Sequence, residues 1–226
     1  MKKRTGRVAP LLPQPEGDGR PLRNLRPARW RGRALRAAAL LLVLPAGCDR
    51  PAHWHSTDIS GNLPVLSFTM TRAADRKTVT AADYRGKVTL LYFGYSFCPD
   101  VCPMTLSNVA RVLREIGPRA SDIRVLFVTV DPDRDTLAVL KPYAAAFGPQ
   151  VDGLRGDPDQ LAALARRYRV AYSVSPASPG HAYEVTHSSG IYAFDRLGRP
   201  RLLISTLSSA RPDVTGTAED LRALLK

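Results

Sequence analysis

Val88-Thr89-Leu90-Leu91-Tyr92-Phe93-Gly94-Tyr95-Ser96-Phe97-Cys98-Pro99-Asp100-Val101-Cys102-Pro103 is the stretch on which the fold turns. Its first eight residues form a near-continuous apolar and aromatic run, preceded by the turn Asp83-Tyr84-Arg85-Gly86-Lys87. Such a run, bounded by turn signals, predicts a strand buried on both faces rather than one alternating between core and water. Pro103 suits a first helical position, and Leu106, Val109, Ala110, Leu113 and Ile116 follow one helical stripe to Gly117-Pro118. The stretch is therefore a central strand, a turn carrying two cysteines, and a helix.

The unit repeats downstream. Ile123 to Val130 predicts a second buried strand, Asp131 to Asp135 a loop, and Thr136 to Phe147 a helix ending at Gly148-Pro149. Asp157-Pro158 starts another helix, with Asp157 as its N-cap, running to about Tyr168. Ile191–Phe194 and Arg201–Ile204 flank Asp195-Arg196-Leu197-Gly198 and predict a hairpin. Thr217 to Lys226 predicts a closing helix, and Val65–Phe68 a first short strand. Strand-helix units followed by an antiparallel hairpin and a helix predict a three-layer α/β domain with a mixed central sheet.

The chain has 226 residues, a net charge of +13 and a mean hydropathy of −0.17. These values suit a globular chain and exclude wholesale disorder and a polytopic membrane protein. The charge invites a nucleic-acid reading until it is located. Residues 1–47 hold eleven bases against two acids, a net +9, which leaves +4 for residues 48–226. The basicity belongs to a leader. After Arg36 come Ala37 to Leu44, apolar throughout, then Pro45-Ala46-Gly47-Cys48. A basic region, a short apolar run and a small-residue stop read as an export signal. The run is about half the ~20 residues that span a bilayer. Small residues before a cysteine resemble a lipoprotein signal, in which Cys48 is lipidated and becomes the mature N-terminus; the alternatives are a plain cleaved signal or an uncleaved anchor, with Cys48 incidental. The expected organisation is a leader at 1–47, a polar tether at 48–62 and one domain at 63–226, placed at the bacterial cell envelope and anchored to the membrane through its N-terminus. The chain shows no GxGxxG, Walker or GxSxG pattern and no basic stripe with interleaved aromatics, so no nucleic-acid partner is expected.

Cys98 and Cys102, spaced C-x-x-x-C, stand where the first buried strand runs into its helix. Functional groups of α/β sheets collect at the carboxyl ends of strands. A helix N-terminus is electropositive and favours thiolate, which is both a nucleophile and a soft metal ligand. Core packing does not explain two cysteines flanked by two prolines in a turn. A structural disulfide, a redox pair and a metal site all remain open. Of the four histidines, His53 and His55 fall in the tether and His181 in a Pro/Gly/Ser loop. His187 sits just before the Ile191 strand. A loop at that strand's amino end meets the carboxyl end of the cysteine strand if the two run antiparallel. Cys98, Cys102 and His187 then form a two-sulfur, one-nitrogen set, which suits copper better than Mg²⁺ or Ca²⁺ and falls one ligand short of an ordinary zinc site.

The segment Phe93 to Pro103 resembles the signature of the SCO/SenC family, copper-binding proteins for the assembly of cytochrome c oxidase. Val130-Asp131-Pro132-Asp133-Arg134-Asp135-Thr136, Tyr183 to Ser188 and Thr57-Asp58-Ile59-Ser60-Gly61 fit it too, as does Asp83 to Lys87, which peroxiredoxin relatives share. The resemblance covers about residues 57 to 205. Thr186 is a departure, since the family more often has Asp before the histidine. The resemblance implies a thioredoxin-like fold and one copper ion, Cu(I) or Cu(II), on Cys98, Cys102 and His187. It implies a metallochaperone that delivers copper to the dinuclear site of oxidase subunit II, with other periplasmic copper carriers as further partners. The alternative is a thiol-disulfide oxidoreductase in which Cys98 and Cys102 reduce the cysteines of the copper-accepting partner. A peroxidase rests on fold analogy alone. No proline lies in Glu184–Ile191, where a thioredoxin carries its cis-proline, which disfavours general thioredoxin activity. The Asp131–Asp135 loop either orients the site, meets the partner, or is an ordinary charged loop with a helix cap at Asp135 or Thr136.

Overall fold

The structure, a computed structural model, describes residues 53–226; the expected leader and Cys48 lie outside them. The strands are β1 (Thr57–Asp58), β2 (Thr69–Arg72), β3 (Thr78–Thr80), β4 (Val88–Gly94), β5 (Ile123–Thr129), β6 (Val151–Arg155), β7 (Tyr172–Ser175), β8 (Glu184–His187), β9 (Ile191–Phe194) and β10 (Pro200–Ile204). The helices are α1 (Val101–Ile116), α2 (Leu137–Ala145), α3 (Pro158–Arg167) and α4 (Val214–Leu224). Eight strands form one sheet in the order β1-β10-β9-β4-β5-β6-β2-β3, while β7 and β8 pair with each other outside it. β4, β5 and β6 run parallel; β9 runs antiparallel to β4, with Tyr92 opposite Ile191. The mixed three-layer α/β fold is as expected.

All seven residues of β4 are buried, and their period-two alternation supplies both cores. Val88, Leu90 and Tyr92 face a core closed by Leu106, Val109 and Val112 of α1 and by Leu221 and Leu224 of α4. Leu91 and Phe93 face the opposite core, closed by Leu161, Leu164 and Ala165 of α3. Each large side chain sealed this way contributes roughly 1.5–3 kcal/mol from burial. α3 starts as its sequence indicates: the Asp157 carboxylate accepts from the Gln160 amide at 2.8 Å, and the Gln160 side chain accepts in return from the Asp157 amide at 3.0 Å.

Several boundaries differ from expectation. Val65–Phe68 is not a strand. Its backbone is held by single bonds, Leu66 N–H to the Gly198 carbonyl at 2.7 Å and the Tyr168 hydroxyl to the Val65 carbonyl at 3.0 Å, and the ladder starts only at Thr69. β6 leaves no strand signal in the sequence, because Asp152 and Gly153 interrupt its apolar run; a Cβ on Gly153 would sit 3.2 Å from the Leu140 carbonyl of α2. α2 is shorter than Thr136 to Phe147, and Thr136 is its cap rather than its first turn. α4 begins at Val214, capped by Asp213. The end of the expected tether is docked: β1 pairs with β10, and the His55 and Ser56 amides both donate to Asp220, at 3.0 and 2.9 Å. Among the described residues, no helix is long and apolar enough to cross a membrane.

Candidate metal centre

β4 ends at Gly94, a position where nothing larger fits. A Cβ on Gly94 would lie 2.6 Å from the Phe127 ring and 3.0 Å from the Cys102 sulfur. The chain then turns through Tyr95 to Asp100 and enters α1, whose first residue is Val101. Pro103 is therefore the third helical residue, not the first. Lacking an N–H, it adds no unpaired donor to the first turn. The Cys102 amide, in that turn, donates to the Cys98 sulfur at 3.4 Å. The cysteine side chain thus takes the place of a capping oxygen, and the Asp100 carboxylate makes no cap.

His187 arrives from the other direction. It lies at the end of β8, not in a loop, and its Nε2 stands 3.2 Å from the Cys102 sulfur. Its Nδ1 lies 3.1 Å from the Ser188 carbonyl, which assigns the ring proton to Nδ1 and leaves the Nε2 lone pair facing the sulfurs. Tyr92 and Tyr95 meet the imidazole edge-on, with centroids 6.2 and 5.9 Å away. One donor atom each from Cys98, Cys102 and His187 lies within 4.8 Å of the others, the only such group among the described residues. Both cysteines are free thiols. His53, His55 and His181 do not join the group. His55 lies against α4, with Nε2 3.0 Å from Glu219, and exposed His181 closes a backbone turn with Ser178.

The two thiols differ. Burial raises the pKa of Cys98, but amide donors from Cys102 and Asp100 outweigh it and hold this thiol below its usual range. Cys102 is fully buried, and burial pushes its pKa up to about 12. Burial also lowers the pKa of His187, keeping the imidazole neutral and able to ligate. Burial, then the neighbouring Cys102 sulfur, raises the pKa of Tyr92, whose buried hydroxyl has no partner among the described residues. The donor set of two soft sulfurs and one imidazole nitrogen fits copper.

The Asp131–Asp135 loop binds both ligand-bearing segments. Asp135 is fully buried and caps no helix. It accepts from the Ser96 amide at 2.9 Å, beside the cysteines, from the Ser96 hydroxyl, and from the Thr129 hydroxyl at 2.6 Å. Asp131, equally buried, pairs with Arg134 and accepts from the Tyr183 hydroxyl at 2.6 Å, just ahead of β8. The sequence marks the Asp131–Asp135 loop and the Tyr183–Ser188 stretch separately, and their order along the chain does not show that Tyr183 and Arg134 meet.

Known proteins share this fold and much of this sequence. The SCO1/SenC family model matches residues 59–225. The mitochondrial SCO2 homolog of Bos taurus is 43% identical over 113 residues, covering 49% of this chain and 42% of that protein. Protein SenC of Rhodobacter capsulatus is 34% identical over 151 residues, covering 66% and 65%. The chain spans about half the length of the mitochondrial relatives it matches. Bradyrhizobium japonicum ScoI, solved with copper bound, superposes with a TM-score of 0.62 at 37% identity, covering 71% of this chain and 99% of that one. With its thioredoxin-like domain and its matched length, this chain belongs to the SCO1/SenC family.

Proposed function

We propose that this protein is a copper carrier for cytochrome c oxidase assembly, and that Cys98, Cys102 and His187 hold one copper ion for delivery to oxidase subunit II. The convergence of two sulfurs and the imidazole Nε2 within 4.8 Å carries the reading. Copper bound to a homologue of the same fold supports it. Three ligands suit a carrier, because an open position lets an acceptor's ligand enter before one of the carrier's leaves. Cys98 and His187 are partly exposed and can exchange first, while Cys102 stays buried. The working place is the bacterial cell envelope, with the domain tied to the membrane by its leader or by lipid on Cys48.

The unequal exposure of the two thiols favours a second activity of the same pair. The Cys98 thiolate attacks one sulfur of a partner disulfide, forming a mixed disulfide and releasing one partner thiolate. Cys102 then gives up its proton and attacks the Cys98 sulfur, closing Cys98–Cys102 and releasing the second partner sulfur as a thiolate that takes up a proton. Two electrons pass to the partner, whose cysteines become ready to bind copper. One paired experiment separates the readings. In His187→Ala, copper affinity falls while disulfide exchange holds; in Cys98→Ser, both fail. Copper titration of His187→Ala that matches the parent would defeat the carrier site.

A further inference from the structure

His187 reaches the cysteines on a hairpin that belongs to no larger sheet, so something must hold that hairpin down. Along β8 the residues alternate: Glu184 and Thr186 are exposed, while Tyr183, Val185 and His187 are half-buried and share the inward face. Val185 packs on the core and His187 meets Cys102. Tyr183 meets the buried Asp131 carboxylate at 2.6 Å. Over the Tyr183 ring, 3.8 Å from its centroid, lies the Arg134 guanidinium, itself paired with Asp131. The same guanidinium lies 5.0 Å from Phe97 and 5.7 Å from Tyr95, both in the cysteine turn. Asp131 and Arg134 are thus gripped by the hairpin on one side and by the cysteine turn on the other. Hydrogen bonds to ionised groups and cation–π contacts are among the stronger local attachments available at a partly buried site.

We propose that Tyr183, Asp131 and Arg134 form a latch that seats the β7–β8 hairpin, and with it His187, against the cysteines. The three are positioning residues: none supplies a donor atom to the metal group. The latch rests on the copper reading for its purpose but not for its existence. Released, it lets the hairpin lift and withdraw the imidazole while Cys98 and Cys102 stay in place on β4 and α1. Metal affinity then scales with the fraction of molecules in which the latch is closed.

Tyr183→Phe tests this with one atom, since it deletes the hydroxyl and keeps the ring under Arg134. In the metal-free protein, amide hydrogen exchange over 184–187 is expected to speed up about tenfold, with exchange in β4 and β5 unchanged. Copper(I) affinity, read by competition with a chromogenic chelator, is expected to fall about threefold or more. In a His187→Ala background the same substitution is expected to cost no further affinity, because the latch acts through that imidazole. Asp131→Asn, which keeps the shape and weakens both attachments, is expected to give the same pattern with larger exchange rates. Unchanged exchange over 184–187 in both variants overturns the latch. An affinity loss of the same size with and without His187 also overturns it. If His187→Ala binds copper like the parent, the copper reading fails, and the exchange measurement still decides the latch.

Discussion

The cysteine turn and the histidine hairpin reach one point from opposite kinds of scaffold. Cys98 and Cys102 ride on β4 and α1, where β4 is buried along its whole length and α1 closes one core. His187 ends a four-residue strand whose one ladder partner is β7, held to the body by Tyr172, Val185 and the Tyr183 contacts. Burying both faces of a strand fixes its position with many kilocalories of apolar contact. A two-stranded hairpin is marginal alone and stays in place only through what it touches. The site therefore has a rigid half and a movable half. A carrier needs that division: it must hold its cargo and also let go.

The largest effects are expected at the rigid half. Cys98→Ser should weaken copper binding by more than about a hundredfold, beyond what loss of an outer-shell partner costs, with a native fold by circular dichroism. His187→Ala should cost at least about tenfold by the same chelator competition, since losing a ligand costs no less than losing the partner that orients one, and should leave the melting temperature nearly unchanged because the ring is only partly buried. Gly94→Ala crowds the end of β4. Its methyl group must displace the Phe127 ring or the Cys102 sulfur, so denaturant unfolding should show a loss of about 1–3 kcal/mol together with weaker copper binding.

The pH response separates the halves further. A thiol in the unfolded chain ionises near 9.0, while Cys102 in the folded, metal-free protein is pushed up to about 12. Above pH ~9 the unfolded state sheds a proton that the folded state keeps. Stability is then lost as pH rises from about 9 towards 12, by up to about 1.4 kcal/mol per pH unit from this one group. Denaturant titration across that range should show the fall, shallower in Cys102→Ala. Cys98 has the opposite sign, with a folded pKa below its usual value, so an alkylating agent should modify it first and at lower pH than Cys102. The smallest effect lies away from the site. Glu219→Gln removes an exposed contact to His55 and should change stability by less than ~1 kcal/mol, with copper affinity untouched.

The same division sets what the amino-acid sequence shows. Val88 to Gly94 reads as a central strand because both faces are apolar, and the turn and helix after it follow from the prolines and the Leu106–Ile116 stripe. The antiparallel placement of Ile191 beside this strand, seen in the pairing of Tyr92 with Ile191, returns the chain at the cysteine end of β4, with His187 four residues earlier. The hairpin bearing His187 is not legible, since Tyr-Ser-Val-Ser and Glu-Val-Thr-His are half polar and separated by a Pro/Gly/Ser segment. β6 is hidden for a related reason, its buried Asp152 and Gly153 making sense only once α2 lies on it. Local pattern reports burial on regular elements; the contact of Tyr183 with Asp131 joins residues 52 positions apart and leaves no local trace.

The central claim, that the rigid thiol pair and the movable imidazole bind the same ion, is tested most directly by electron paramagnetic resonance of the Cu(II)-loaded domain. The account predicts a signal that integrates to one Cu(II) per chain, with the g and copper hyperfine values of sulfur ligation, and coupling to one imidazole nitrogen that vanishes in His187→Ala while the sulfur signature remains. An unchanged nitrogen coupling in His187→Ala would contradict it.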